Sequence, residues 1–229
     1  MPNFNDYFTR NLESISREQL ELLQLKRVAV VGCGGLGGYV IEELARIGIG
    51  HLHLFDPDTF SESNCNRQLN ALMATMGQRK AEVAATRVAS IHPYCQTQTF
   101  CADFRDVDAK QSFAVDLVVD CLDDIPARRD LSTLCKRHNL PLIHGAVNGW
   151  YGQVGVQHPG GNLIEQLYPL RRDQSQQLPA PSVLSFTVAL VASLQAAEAV
   201  KALLGLETLL SSGWLYIDLK ENDYIYHEL

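Results

Sequence analysis

The clearest pattern in the chain is a β-branched apolar run, RVAVV at 27–31, leading into the glycine-rich stretch VVGCGGLGGY at 30–39. GGYVIEELARIGI then carries apolar residues at helical spacing and stops at Gly48 and Gly50, where glycine is the expected helix terminator. HLHLF at 51–55 is a second strand, so a βαβ unit of about 30 residues closes at Asp56. The alternation continues with a helix near 77–91, a strand at CQTQTF (95–100), a strand at VDLVVD (115–120), a proline-opened helix at 126–139 and a strand at LPLIHG (140–145). This order predicts an α/β fold: a Rossmann-like, doubly wound, mainly parallel sheet with helices on both faces.

Beyond this point the texture changes. GQVGVQHP reads as a strand ending at a turn, and 160–182 is polar, contains prolines and shows no clear period. It reads as a long loop, a length that is usually functional inside a compact domain. A long apolar helix follows at 183–205, closed by Gly205, and then two short strands, GWLYIDL and DYIYHEL, predict a mixed or antiparallel C-terminal extension. No repeat or linker divides the chain, so a single domain over 1–229 is expected, with a helical segment at 1–26, a nucleotide-binding half at 27–150 and a second half at 151–229.

Composition narrows the function classes. With 46% hydrophobic and 20% charged residues the chain resembles an ordinary soluble globular protein. No apolar run reaches the roughly 18 residues of a membrane span, and the first twenty residues lack the basic flank and apolar stretch of a signal peptide. A cytoplasmic protein without a membrane partner is expected. A net charge of -7 argues against nucleic acid as the main partner. The six cysteines contain no C-x-x-C pair, so they are expected to be mostly small buried hydrophobes, with no zinc site.

Gly32, Gly34 and Gly37 form G-x-G-x-x-G, which lets backbone and a helix N-terminus approach phosphate and by itself favours NAD or FAD. Asp56, at the end of the second strand, suits ribose hydroxyls of any adenine nucleotide. The following residues shift the balance. Asn64 and Arg67 lie in the polar stretch 56–70, and Lys80 opens the next helix. Cations converging on a triphosphate serve phosphoryl or nucleotidyl transfer better than NAD binding. Asp120, Asp123 and Asp124 end a central strand, where a carboxylate suits Mg²⁺ bridging phosphates. Singly each has a plainer reading: a solvated cation, a turn former, or an acid at a helix N-terminus.

Together these residues resemble the ThiF/MoeB/HesA family, bacterial relatives of ubiquitin-activating enzymes. The match rests on GCGGLG (32–37), Asp56 and Asp58 as D-x-D, SNCNRQ (63–68), G-x-x-K ending at Lys80, and D-C-x-D (120–123), with GQVGV and SLQAAEAVKALLG fitting later segments. The resemblance implies ATP-dependent adenylation of the C-terminal glycine carboxylate of a small ubiquitin-like sulfur carrier of ThiS or MoaD type, releasing pyrophosphate, for thiamine or molybdopterin-type sulfur transfer. Gly32, Gly34, Gly35, Gly37, Asp58 and Leu122 would bind the nucleotide, Asp56 would hold the ribose, and Asn64, Arg67 and Lys80 the phosphates. Asp123 would hold Mg²⁺, and the second half of the chain would bind the carrier. Arg10, in YFTRN, resembles the N-terminal arginine that family members insert into a partner subunit's ATP site, implying a homodimer in which Arg10, Arg67, Lys80 and Asp123 act together.

Two departures qualify this implication. The family's zinc-binding C-x-x-C pairs are missing, and 136–229 holds no cysteine for covalent chemistry. Adenylation alone is therefore expected, with a separate sulfur donor protein, and Cys65 is the one cysteine worth testing for reactivity. Three alternatives stand: a relative that adenylates threonylcarbamoyladenosine in tRNA, a non-catalytic nucleotide-binding scaffold for a ubiquitin-like protein, and an NAD oxidoreductase.

Overall fold

The computed structural model describes residues 4–169 and 182–229. Its centre is β1 (Arg27–Val31), whose side chains are buried on both faces of the sheet. Val28 and Val30 pack among residues of α3 (Gly35–Ile47), α4 (Lys80–Ile91) and α8 (Ser185–Leu204). Ala29 and Val31 face the opposite cluster, with Phe55 and residues of α6 (Ile125–Arg137). Two buried faces explain why this strand reads as a continuous apolar run rather than an alternating one.

Among the described residues eight strands form one sheet, in the order β3-β2-β1-β4-β5-β6-β7-β8. β3 (Gln96–Phe100), β2 (His51–Phe55), β1, β4 (Leu117–Asp120) and β5 (Leu142–Asn148) run parallel. β6 (Tyr151–Gln157), β7 (Gly213–Asp218) and β8 (Asp223–Glu228) continue antiparallel. The expected parallel sheet with an antiparallel C-terminal extension is therefore the observed fold. Val31 pairs with Phe55 on one side and Asp120 on the other. From β1 the chain passes outward to β2, whereas β4 lies on β1's other flank. That reversal opens a crevice at the carboxyl ends of the strands, where ligands of open α/β sheets bind.

The N-terminal segment comprises α1 (Phe4–Tyr7), a 3₁₀ turn at Thr9–Asn11 and α2 (Arg17–Leu25). Ser16 and Gln19 close α2 with a reciprocal capping box. α8 is long and apolar enough to cross a membrane by length and composition, but half of that stretch is buried inside the protein. Its inner residues, Val188, Val191, Ala192 and Ala199, belong to the core shared with α3.

Several boundaries differ from the sequence expectation. α4 begins at Lys80 because Gly77 is left-handed at φ 76° and Arg79 is extended. β5 runs on to Asn148, which pairs with Tyr151 across a tight hairpin. The short helix α5 (Ala109–Ser112), capped by Asp108, was not anticipated. Within the expected 160–182 loop, α7 (Leu163–Leu167) forms and buries Leu163 and Ile164; residues 170–181 of that loop lie outside the described residues.

Candidate active site

Two of the glycines after β1 are required by packing. Gly32 is left-handed at φ 97°, and a Cβ there would stand 2.6 Å from the Cys121 carbonyl oxygen. A Cβ on Gly37 would stand 1.8 Å from the Gly32 oxygen, so this glycine lets α3 sit directly on the turn that precedes it. Gly34 differs: a Cβ there would meet only the Gln68 amide, at 3.4 Å. It caps α3 and faces the crevice, where the unpaired N–H groups of the helix's first turn favour an anion.

The crevice holds about 480 Å³ and is lined by Gly32, Gly34, Gly35, Asp56, Asp58, Arg67, Lys80, Leu122 and Asp123, among others. The Cys33 amide donates to one Asp56 oxygen at 2.8 Å and the Asp58 amide to the other at 2.9 Å. Asp56 therefore ties the end of β2 to the glycine turn. Burial pushes its carboxyl above the usual range, against the opposing pull of Lys80 and the two amides. Lys80 is itself buried and donates to Asp58 at 2.9 Å. Arg67 donates to the Ser63 carbonyl at 2.9 Å and to the Asn66 side chain at 2.8 Å. It has no carboxylate partner among the described residues.

On the other side of the crevice, Asp120 ends β4 completely buried. Its Oδ1 accepts from the Leu122 amide at 3.0 Å, and its Oδ2 accepts from Arg128 at 2.9 Å. Arg128 also donates to the Leu122 carbonyl and, at 2.7 Å, to that of Gly145. The Leu122 peptide is thus held at both ends. Burial alone would raise the Asp120 carboxyl, but Arg128, the His144 hydrogen bond and the Leu122 amide bring it below the usual range. Asp124 caps α6 by accepting from the Ala127 amide at 2.9 Å, while Asp123 is exposed beside it without a partner among the described residues.

The expected residues converge except for three. Gly37 lies beneath the turn. Asn64 is buried behind the crevice wall, where its side chain accepts from the Ser61 amide at 3.1 Å. Arg10 lies in the 3₁₀ turn at Thr9–Asn11, and its neighbour Asn11 donates to the Arg46 carbonyl at the far end of α3. Asp103, Arg105 and Arg128 also line the crevice but were not read from sequence, as does Gln68, which the sequence showed only as the end of the SNCNRQ motif. Arg128 carried a signal, lying eight residues after Asp120, within reach of the preceding strand's end. Cys33 and Cys121 are buried, and burial drives their thiols well above the ordinary value, which makes them inert. Cys65 is exposed. Among the described residues no group of three or more His, Cys, Asp or Glu side chains could hold a metal ion.

Known proteins extend this picture. The chain is 31% identical over 218 residues to the SAMP-activating enzyme E1 of Haloferax volcanii, covering 93% of this chain and 81% of that protein. It is 35% identical over 188 residues to the molybdopterin-synthase adenylyltransferase of Escherichia coli, covering 81% and 76% respectively. A tRNA threonylcarbamoyladenosine dehydratase of Bacillus subtilis is 38% identical over 145 residues, which is 62% of this chain and 57% of that protein. Among solved structures, Escherichia coli MccB with ATP superposes with a TM-score of 0.82 at 20% identity, covering 98% of this chain and 71% of that one; this likeness concerns the fold. The ThiF family model matches residues 8–229, and on that span, together with the crevice built by its glycine turn, acids and cations, the chain belongs to the ThiF family.

Proposed function

We propose that this chain, an ATP-dependent adenylyltransferase, activates the C-terminal carboxylate of a small ubiquitin-like sulfur carrier of ThiS or MoaD type. The observation carrying this reading is the state of the two cations in the crevice. Arg67 has no carboxylate partner among the described residues, and the carboxylate partner of buried Lys80 is Asp58, whose side chain is 65% exposed. Both are free to exchange protein oxygens for phosphate oxygens at small cost. In the reaction a carboxylate oxygen of the carrier bonds to the α-phosphorus of ATP. The bond from that phosphorus to the bridging oxygen breaks, and pyrophosphate leaves with the electron pair. Lys80 and Arg67 stabilise the charge that moves onto the phosphate oxygens. Asp56 orients the ribose.

Mg²⁺ fits the acids at the mouth. Asp123 offers exposed hard oxygens with no partner among the described residues, and Mg²⁺ is typically bound by one or two carboxylates plus substrate phosphates. Asp123 would hold it, since Asp124 is occupied in capping α6, and it would supply neutralisation of phosphate charge. The antiparallel end of the sheet supports a protein substrate. Trp214 stacks on His227 at 4.5 Å and Tyr151 on Tyr216 at 6.0 Å, beside exposed Ile225, an aromatic face suited to docking another protein. A homodimer exchanging Arg10 between subunits belongs to the same reading, as does a separate sulfur donor protein.

A second reading, adenylation of a modified adenosine in tRNA, is favoured by the 38% identity to the dehydratase. The net charge of -7 weighs against it. The deciding experiment is mass spectrometry of candidate substrates incubated with the protein, ATP and Mg²⁺. An acyl-adenylate on a Gly-Gly-ended carrier, absent with Lys80→Ala or Asp123→Ala, is the expected result. Turnover of modified tRNA with no carrier adenylate would replace the first reading by the second.

A further inference from the structure

A directed chain of hydrogen bonds runs from β6 to the crevice, and nothing in the adenylation chemistry above uses it. His144, on β5 and completely buried, lies with Nδ1 2.7 Å from Asp120 Oδ2 and Nε2 3.1 Å from the Tyr168 hydroxyl. Gln153, on β6, donates its amide to the same hydroxyl. Burial and the neighbouring Arg128 cation hold the imidazole below its usual pKa, so it is neutral. The directions then follow. Asp120 accepts only, and the two N–H bonds of Arg128 Nη1, which lies 3.1 Å from Nδ1, go to Asp120 and the Gly145 carbonyl, so His144 Nδ1 carries the proton and Nε2 accepts; the Tyr168 hydroxyl, already accepting from Gln153, donates to Nε2. Asp120 passes the constraint to the Leu122 amide, next to Asp123.

Tyr168 is well placed to hold the far end. It follows α7 directly, and α7 is bound to α6 by Lys136–Glu165 at 2.8 Å and by Arg129 donating to the Tyr168 carbonyl at 2.5 Å. The Tyr168 ring also covers Arg128 at 6.0 Å, and Arg128 lines the crevice. Buried polar groups left unpaired are costly, so each member of this chain constrains the next.

We propose that Tyr168 is a positioning residue for nucleotide binding, acting through His144 and Asp120 on the Leu122–Asp123 peptide and so coupling the seating of α7 to the geometry of the crevice. The coupling rests on the crevice being the ATP site. It joins the second half of the chain to the first without touching the nucleotide.

The test is calorimetric titration with α,β-methylene-ATP and Mg²⁺, which needs no acyl substrate, alongside melting curves. Tyr168→Phe preserves the ring and is expected to weaken binding about fivefold, the effect of losing one buried hydrogen bond, with a melting temperature lowered by only a few degrees. His144→Asn is expected to weaken it similarly, and the double variant to be no weaker than either single one. Gln153→Leu, at the half-buried start of the chain, should act in the same direction. Nitrogen-15 NMR should show the Nδ1-protonated tautomer of His144. Wild-type affinity in Tyr168→Phe, multiplicative losses in the double variant, or the Nε2-protonated tautomer would each overturn the coupling. Asp123→Asn is the control for the site: loss of Mg²⁺-dependent binding there confirms the crevice independently, whereas unchanged binding would remove the ATP-site reading itself.

Discussion

Lys80 and Asp58 form an uneven ion pair: the two groups meet at 2.9 Å, but the lysine side chain is 9% exposed and the aspartate 65%. A pair with one solvated member adds little to stability, so its persistence points to the lysine's position. Replacing Lys80 by Ala is expected to lower carrier-dependent ATP–pyrophosphate exchange by on the order of 100-fold, with a melting temperature within a few degrees of wild type. Asp58→Ala should be much milder. Equal losses in the two variants would show that the pair, and not the cation, matters.

The glycines of the turn should separate by function. Gly37→Ala places a methyl 1.8 Å from backbone, which no side-chain movement relieves, and soluble folded protein is not expected. Gly34→Ala meets only the end of Gln68 at 3.4 Å. It should fold and melt normally while losing ATP affinity, as read by calorimetry, because the added methyl occupies the space where phosphate approaches the start of α3. If both variants fold and bind ATP, the crevice is not the nucleotide site.

These two positions also mark how far the sequence could be read. The G-x-G-x-x-G spacing identified the turn, the strand before it and the helix after it, because backbone packed too closely for a Cβ leaves a strict local signature. Lys80 and Arg67 were legible for the same reason, as cations at short spacing from that signature. Asn64 lies outside the crevice lining. Its side chain serves the Ser61 turn, and a turn former and a ligand group look identical in sequence. The Asp120–His144–Tyr168 chain was invisible because its members come from β4, β5 and the end of α7, and only the sheet order brings them together. α7 was missed because a five-residue helix among polar residues shows no period.

His92 gives a pH-dependent prediction. It is completely buried among Phe4, Phe8 and Tyr94, and neither ring nitrogen has a partner among the described residues. Burial lowers its pKa from 6.5 to about 4. The folded state therefore binds this proton less readily than the unfolded state. The contribution of His92 to stability is complete above pH 6.5 and is lost progressively as pH falls through the folded value, with a total on the order of 3 kcal/mol. Denaturant unfolding of His92→Leu between pH 7.5 and 4 should show a shallower acid decline than wild type. Parallel curves would mean that His92 is solvated and that the packing of the N-terminal segment differs from that described.

Arg10 cannot reach the crevice of its own chain without rebuilding the N-terminal segment. Asn11 is bonded to Arg46, at the C-terminal end of α3, at 3.4 Å. The crevice lies at the other end of that helix, roughly 18 Å away along its axis. If Arg10 contributes to adenylation, it does so in a second copy. Mixing two inactive variants tests this directly. Arg10→Ala supplies an intact Lys80, and Lys80→Ala supplies an intact Arg10, so each mixed dimer contains one complete site of two. Random exchange makes half the dimers mixed, and about a quarter of wild-type activity should return in an isologous pair. Each variant alone should remain inactive and both should sediment as dimers. Full activity of Arg10→Ala alone would leave Arg10 as a surface residue of the N-terminal segment and each crevice complete within its own chain, whereas no recovery in dimers shown to have exchanged subunits would rule out its action across the dimer.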